Sequence, residues 1–258
     1  MTHSRIALVT GANQGVGYEV AKALVADGAT VYLGSRDYGR GAVAAQQLGA
    51  IPIQIDITDA ASIAAAAERI RSEQGRLDLL VNNAGISNTR RAAASPEQLA
   101  DPRFLEEYAN AGTASRASLD EMRAVWDVNV FGTLAVYQAM LPLLRDGVDA
   151  RIVNVSSGLG SLTANADPDS PYHSMFGVIY PASKAAENAV TLAIMVELEG
   201  TNIKVNLVSP GFTATNLNNF TGTETVEDGS REVIRVALLG PDGPSGTFTR
   251  WEGAPIPW

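Results

Sequence analysis

The chain has 258 residues, carries a formal net charge of −9 and contains no cysteine. Its length allows one large domain or two small ones, with a sizeable core. The acidic balance argues against nucleic acid or an anionic membrane surface as a partner, because both require a basic surface. Without cysteine there are no disulfides, thiolate catalysis or cysteine metal sites. The histidines, His3 and His173, lack metal-ligand spacing, so no metal site is predicted.

The first residues predict neither a secretory signal nor a membrane anchor. Residues Met1 to Thr10 hold one short apolar run before a glycine turn, which is too short for the apolar region of a signal peptide. No stretch is expected to approach the roughly 18 apolar residues of a spanning helix. We therefore expect a cytoplasmic protein without membrane contact.

Short β-branched runs alternate with longer alanine-rich runs along the chain. Continuously apolar strands joined by helices are typical of a parallel sheet that is buried on both faces. The sequence therefore predicts an α/β fold, a single-domain Rossmann-type, doubly wound parallel β-sheet over residues 1–258 with helices on both faces. The predicted strands are Ile6–Val9, Thr30–Leu33, Ile51–Ile55, Leu77–Val81, Arg151–Val155, Lys204–Val208 and Gly246–Thr249. The predicted helices are Gly15–Asp27, Gly39–Leu48, Asp59–Glu73, Leu119–Leu144, Ile179–Glu199 and Val226–Leu239.

Three polar segments follow predicted strands and break this alternation: residues 87–118, 158–177 and 212–229. Ligands of open parallel sheets bind outside the carboxyl ends of the strands. Long loops at that edge are more often functional than loops elsewhere. We interpret the segments as substrate loops, the last of them as a mobile lid; tolerated surface insertions are the alternative.

A glycine-rich turn, Thr10 to Gly17, follows the first strand and opens the first helix. Glycines let the backbone turn tightly and approach a pyrophosphate, and the helix N-terminus offers N–H groups to that anion. A P-loop is excluded because no Gly-Lys-Ser/Thr closes the motif. The turn predicts nucleotide binding by Gly11, Asn13, Gln14, Gly15, Val16 and Gly17.

The end of the second strand bears on which dinucleotide binds. An NAD site usually has an acidic residue there, but this strand ends in Ser35-Arg36 and reaches a carboxylate only at Asp37. A guanidinium can hold a 2′-phosphate with two hydrogen bonds. NADP(H) is therefore favoured over NAD(H), with a solvated loop residue as the alternative role of Arg36.

Tyr180 and Lys184 lie four residues apart at the start of an apolar, helix-like run. Positions i and i+4 share one face of a helix, so the phenol and the ammonium project to the same place. The cation is predicted to lower the pKa of Tyr180 towards neutrality, which would suit a general acid or base. Taken alone, such a pair is more typical of an exposed helix face.

Taken together and in order, these motifs resemble the short-chain dehydrogenases/reductases, from about Arg5 to the carboxyl end. The matching elements are the Thr-Gly-x-x-x-Gly-x-Gly turn, Asn82-Asn83-Ala84-Gly85, Asn129 in Val-Asn-Val, the strand ending in Ser156-Ser157, Tyr180-x-x-x-Lys184, and Ser209-Pro210-Gly211 followed by Thr213.

The resemblance implies a set of site residues. Asn129, Ser157, Tyr180 and Lys184 would be catalytic, with Ser156 as the alternative to Ser157. The adenine would contact Asp56 and Ile57, the cofactor cleft would be lined by Asn83, Ala84 and Gly85, and the nicotinamide carboxamide would contact Pro210, Gly211 and Thr213.

The resemblance also implies a reaction, in which hydride passes between nicotinamide and a small-molecule carbonyl or alcohol substrate. The hydroxyls of Ser157 and Tyr180 would stabilise the substrate oxygen, and Tyr180 would supply the proton. Lys184 would hydrogen-bond the nicotinamide ribose, and Asn129 would position a water. The alternatives are a catalytically silent, NADP-sensing regulatory protein and a dehydratase or epimerase with the same fold.

The carboxyl end and Ser35-Arg36-Asp37 are similar to the carbonyl-reductase-like branch of that family. Gln14 departs from this branch, which often has a basic residue at that position. The insertion before Tyr180 resembles one that can cover the helices through which other members dimerise. Monomer and homo-oligomer therefore both stay open.

Overall fold

A single eight-stranded sheet organises the protein. The computed structural model describes residues 4–90, 101, 103 and 110–258. The strands are β1 Ile6–Val9, β2 Thr30–Ser35, β3 Ile51–Gln54, β4 Leu79–Asn82, β5 Arg151–Val155, β6 Lys204–Val208, β7 Thr247–Arg250 and β8 Ala254–Pro255.

In the sheet these strands have the order β3-β2-β1-β4-β5-β6-β7-β8. All neighbouring strands from β3 through β7 pair in parallel, and β8 is antiparallel to β7. This confirms the predicted doubly wound sheet.

Helices cover both faces of the sheet and bury a hydrophobic layer on each. The helices are α1 Gly15–Ala26, α2 Tyr38–Leu48, α3 Ala60–Gln74, α4 Leu119–Trp126, α5 Thr133–Arg145, α6 Leu162–Ala166, α7 Tyr180–Glu197 and α8 Val226–Ala237. Helices α1, α2 and α8 contribute to one layer, which includes Val20, Leu24 and Val233. Helices α3, α5 and α7 contribute to the other, which includes Ile70 and Met140. Full burial of one such side chain stabilises the fold by about 1.5–3 kcal/mol.

The predicted helix Leu119–Leu144 is interrupted in its middle. A π-helix, Asp127–Gly132, separates α4 from α5. Thr133, the first residue after this segment, donates its hydroxyl to the main-chain carbonyl of Asn129 within it at 3.1 Å. Single π turns within α-helices often occur at functional sites. Here the wider turn lies at the predicted active-site asparagine.

Four strands differ from their predicted bounds by one or two residues at one or both ends, and one strand was not predicted. β2 ends at Ser35 instead of Leu33, β3 ends at Gln54 instead of Ile55, β4 is Leu79–Asn82 instead of Leu77–Val81, and β7 is Thr247–Arg250 instead of Gly246–Thr249. The short strand β8 was not predicted, since a two-residue strand carries no periodicity.

One helical unit among the described residues, Leu119–Arg145, is long and apolar enough to cross a membrane by length and composition alone, with a mean hydropathy of 1.2. This differs from the expectation that no stretch would approach that length. Half of its apolar window is buried inside the protein, and Tyr137, Met140 and Leu143 lie in the core. Core packing accounts for its apolar character.

Candidate active site

The glycine turn is tied to the loop after β4 by hydrogen bonds. The Asn83 side chain donates to the carbonyls of Thr10 and Gly11 at 2.9 and 3.1 Å. The Thr10 hydroxyl accepts from the N–H groups of Asn83 and Ala84 at 3.0 and 3.1 Å. Gly11 has φ of +62°, and a Cβ on it would lie 2.9 Å from the Ala84 Cα. Only glycine allows this approach, which forms one wall of a cleft at the carboxyl ends of β1 and β4.

The N-terminus of α1 opens onto this cleft without a side-chain cap. Gln14, at the cap position, accepts no hydrogen bond with its side chain. In contrast, the carboxylates of Asp37 and Asp59 cap α2 and α3. An uncapped helix N-terminus leaves its first N–H groups available to an anion. The turn therefore fits a pyrophosphate, with Asn13 half-buried, Gln14 exposed and Val16 buried below it.

At the end of β2 the carboxylate of Asp37 is already engaged. It accepts from the Arg40 N–H at 3.0 Å, and the Arg40 guanidinium lies 3.6 Å away. The Ser35 hydroxyl donates to the Asp37 carbonyl at 2.8 Å, and Ser35 is buried. Arg36 is exposed beside them. Arg36, Asp37 and Arg40 are all exposed, so two guanidiniums lie beside one carboxylate at this position.

Asp56 lies within the electrostatic reach of Arg36. Burial alone would raise the pKa of Asp56, but hydrogen bonds from Thr58 at 3.0 and 2.7 Å and the charge of Arg36 hold it below the ordinary value. Ile57 is buried. A Cβ on Gly132 would lie 2.9 Å from the Ile57 carbonyl oxygen. Both residues lie just after β3, beside the end of β2.

Asn129 is fully buried and ties the π-helix to the loop after β4. Its side-chain oxygen accepts from the Ile86 N–H at 2.9 Å, and its amide donates to the Ile86 carbonyl at 2.8 Å and to the Ser183 hydroxyl at 2.9 Å. A Cβ on Gly85 would lie 3.2 Å from the Asn129 oxygen and 3.7 Å from the Lys184 nitrogen. Gly85, which has no side chain, therefore lies between the Asn129 side-chain oxygen and the Lys184 nitrogen.

Ser157, Tyr180 and Lys184 meet at the carboxyl end of β5. The Ser157 hydroxyl accepts from the Leu159 N–H at 3.2 Å and lies near enough to the Tyr180 side chain to lower the pKa of its phenol. The Lys184 nitrogen lies 6.0 Å from the centre of the Tyr180 ring and donates to the Val155 carbonyl at 2.8 Å. In contrast, the Ser156 hydroxyl is buried and donates to Asn188. Of the two serines, Ser157 is therefore the one beside the tyrosine.

The segment after β6 lies beside this group. The Ser209 hydroxyl accepts from the Gly158 N–H at 3.1 Å, which joins the ends of β5 and β6. Gly211 has φ of +76°, and the Thr213 hydroxyl donates to the Pro210 carbonyl at 2.8 Å. Pro210, Gly211 and Thr213 therefore form a bent, internally bonded edge of the cleft.

Two of the predicted loops contact the rest of the site. Within residues 212–229, the Leu217 carbonyl accepts from the Ser87 hydroxyl at 2.6 Å, and Thr215 lies 3.7 Å from a Cβ built on Gly15. Within residues 158–177, a Cβ on Gly160 would lie 2.9 Å from the Lys184 carbonyl carbon, so this loop packs on α7. Inside the loop, Tyr172 packs on Gly158, and exposed His173 contacts the Asn165 carbonyl at 2.8 Å. Residues 91–100, 102 and 104–109 of the predicted loop 87–118 lie outside the described residues.

Comparison with known proteins assigns the family. A model of the short chain dehydrogenases matches residues 5–225. The chain belongs to this family. It is 36% identical over 247 residues to short-chain dehydrogenase anuI of Penicillium roqueforti, covering 91% of this chain and 89% of that protein.

Two solved structures share the fold over nearly the whole chain of this short-chain dehydrogenase. Salutaridine reductase from Papaver somniferum is 30% identical with a TM-score of 0.76, covering 95% of this chain and 99% of that one. The NADPH-bound carbonyl reductase from chicken fatty liver is 26% identical with a TM-score of 0.78, covering 99% and 100%.

The pKa of Tyr180 differs from the prediction. Burial raises it, the charge of Lys184 lowers it, the charge of Glu187 raises it, and the hydrogen bond from Ser157 lowers it; the net direction is upward. The predicted lowering towards neutrality is therefore wrong. The i, i+4 spacing indicates the cation, but it reveals neither the burial nor the buried carboxylate.

A buried polar network below the site was not predicted. Asn82 donates to Asn154 at 2.9 Å, and Asn154 donates to Thr191 at 2.8 Å. The Thr191 hydroxyl donates to the Glu187 carbonyl at 2.8 Å, and the Glu187 carboxylate pairs with Lys184 at 2.7 Å. An asparagine inside an apolar strand and a glutamate inside an apolar helix were the available signals, because buried polar groups need partners.

Proposed function

We propose that this short-chain dehydrogenase is an NADPH-dependent carbonyl reductase, and equally a dehydrogenase of the matching alcohol. The observation that carries the proposal is the convergence of Ser157, Tyr180 and Lys184 at the carboxyl end of β5, with Lys184 6.0 Å from the Tyr180 ring centre and the Ser157 hydroxyl near enough to lower the pKa of the phenol, beside a cleft opened by glycines. Two neighbouring hydroxyls can donate to one substrate oxygen. The names of a reductase and an NADPH-bound carbonyl reductase among the similar structures support the same reading.

The protein's own groups would bind, orient and protonate the substrate. When bound, the nicotinamide supplies or accepts the hydride. The hydroxyls of Ser157 and Tyr180 hold the substrate oxygen as charge develops on it, and Tyr180 donates its proton to that oxygen. Lys184 lies within range to favour the phenolate that remains. Asn129 fixes the backbone at Ile86, next to Gly85 and Lys184.

Several residues would hold the dinucleotide. The phosphates would be held by the uncapped start of α1, Gly15 to Gly17, and the cleft would be lined by the Asn83–Gly85 loop. Asp56 and Ile57 would contact the adenine. The Pro210–Thr213 edge would contact the carboxamide. Asp37 caps α2 and faces Arg40, and Arg36, Asp37 and Arg40 are all exposed. Two guanidiniums beside one carboxylate support a 2′-phosphate at Arg36, and hence NADP(H).

Replacing Arg36 by alanine is expected to weaken NADPH binding about ten- to hundredfold and to change NADH binding little. The reason is the loss of charge-assisted hydrogen bonds of about 1.5–3 kcal/mol to the 2′-phosphate, a group that NADH lacks. Titration of intrinsic fluorescence with each nucleotide measures the two dissociation constants. Arg71→Ala, which removes an arginine paired with Glu68 on α3, is the control and leaves both unchanged. Equal losses for both nucleotides would refute the assignment.

The substrate class is inferred from the loops. Met175, Phe176, Phe212 and Phe220 are exposed on the segments 158–177 and 212–229. Large exposed apolar side chains near a cleft favour apolar ligands. We infer a small or medium aldehyde or ketone with an apolar body as the substrate.

The test is oxidation of NADPH, followed by its absorbance, with a panel of carbonyl compounds that differ in size and polarity. The proposal expects turnover with at least one apolar member. Binding of NADPH without oxidation by any member would favour the NADP-sensing alternative. The cytoplasmic location and the one-domain organisation with three substrate loops stay predictions.

A further inference from the structure

Glu187 places a carboxylate directly against the lysine of the site. It lies three residues after Lys184 on α7, and its oxygen is 2.7 Å from the Lys184 nitrogen. The side chains of Lys184 and Glu187 are only 5% and 2% exposed. A solvated surface pair would contribute little, but a pair this deeply buried is weakly screened by solvent.

The second hydrogen bond of Lys184 fixes its position. The ammonium donates to the Val155 carbonyl at 2.8 Å as well as to Glu187. It is thus held between the end of β5 and its own helix, next to Gly85. Removing the carboxylate would leave an ammonium with one protein acceptor in a buried place, where an unmatched charge is costly.

The charged groups that act on Tyr180 in the described part of the chain are Lys184 and Glu187, both on α7. The groups facing them from neighbouring elements are the Ser157 hydroxyl, the Asn129 amide and the Val155 carbonyl, which carry no charge. Lys184 favours the phenolate and Glu187 disfavours it. The pair therefore presents little net charge to the tyrosine.

We propose that Glu187 is a positioning residue that fixes Lys184 and offsets its charge, so that Tyr180 stays protonated and ready to act as an acid. The inference rests on the proposed reductase function. It favours carbonyl reduction over alcohol oxidation near neutral pH, because a protonated tyrosine suits reduction and a phenolate suits oxidation.

The test is the pH profile of kcat/KM for alcohol oxidation in Glu187→Gln. Oxidation needs the phenolate, so its rate rises with pH until Tyr180 is deprotonated. Glutamine keeps a hydrogen-bond acceptor for Lys184 but removes the negative charge, so the rising limb moves to lower pH. At a fixed pH on the rising limb, a shift of the limb to lower pH by one unit raises the rate about tenfold. Glu187→Leu, similar in volume and uncharged, moves the limb in the same direction.

Two controls separate charge from structure. Glu187→Asp keeps the charge and keeps the limb near that of the parent enzyme. Glu232→Gln removes a buried carboxylate that is paired at i, i+3 with Arg235 on α8, away from the site, and leaves the profile unchanged. A folded Glu187→Gln enzyme whose profile superimposes on that of the parent, or whose rate falls equally at every pH, would overturn the proposal.

A second measurement needs no substrate, so it distinguishes this inference from the reductase assignment. Phenolate absorbance is titrated in the parent, in Glu187→Gln and in Tyr180→Phe, and the Tyr180 contribution is the difference from the last. We expect Tyr180 to titrate above the ordinary value of 10.0 in the parent and lower in Glu187→Gln. Titration of Tyr180 in the parent at or below that ordinary value contradicts the proposal even if none of the three Glu187 variants folds, because the tyrosine would then not be held in its protonated form.

Discussion

Tyr180→Phe is expected to lower kcat for carbonyl reduction by about 10²–10⁴-fold while leaving the dissociation constant of NADPH nearly unchanged. The substitution removes the proton donor and one of the two hydroxyls at the substrate oxygen, but it keeps the ring between Ser157 and Lys184. Steady-state kinetics and a nucleotide titration measure the two effects separately.

Tyr18→Phe is the matched control for this loss. The Tyr18 hydroxyl donates to Gln47 of α2 at 3.1 Å in an exposed place, so its removal leaves kcat unchanged. A Tyr180→Phe enzyme that keeps more than about a tenth of the parent's kcat would show that another group donates the proton.

Gly17→Ala is expected to destabilise the fold by about 1–3 kcal/mol and to weaken NADPH binding. A Cβ on Gly17 would overlap the Asn83 amide nitrogen and lie 2.9 Å from the Gly11 carbonyl. The hydrogen bonds from Asn83 to Thr10 and Gly11, which join the glycine turn to the loop after β4, would then lengthen or break. Urea unfolding gives the stability change, and nucleotide titration gives the affinity change.

Gly240→Ala tests whether this effect is local. A Cβ at Gly240 meets no atom within 4 Å, and the backbone there is not left-handed, so neither stability nor affinity should fall. If Gly17→Ala binds NADPH as tightly as the parent, the glycine turn does not approach the pyrophosphate and the cofactor site lies elsewhere.

The parallel sheet could be predicted because its strands are continuous apolar runs that alternate with helices. Residues 6–9, 151–155 and 204–208 are strands with the predicted bounds. The carboxyl ends of parallel strands share one edge, so motifs at strand ends were expected to converge. The structure places Ser157, Tyr180 and Gly85 at that edge, although the role of each residue stays a prediction.

The electrostatics could not be predicted from spacing. The sequence shows Lys184 one turn after Tyr180, but the sign of the pKa shift depends on burial and on Glu187, whose pairing with Lys184 in the buried interior is visible only in the fold. The π-helix at Asn129 was also missed, because an α-helix and a π turn have nearly the same apolar pattern over six residues.

The most direct test of the central claim follows the hydride. The enzyme is given an apolar ketone or aldehyde that it reduces and NADPH deuterated at the nicotinamide C4 on one face or the other, and the alcohol is analysed by mass spectrometry. The account predicts one deuterium on the carbinol carbon from one of the two labelled cofactors, and almost no product with Tyr180→Phe. Product that forms without deuterium from either cofactor, or that forms equally well without Tyr180, would contradict it.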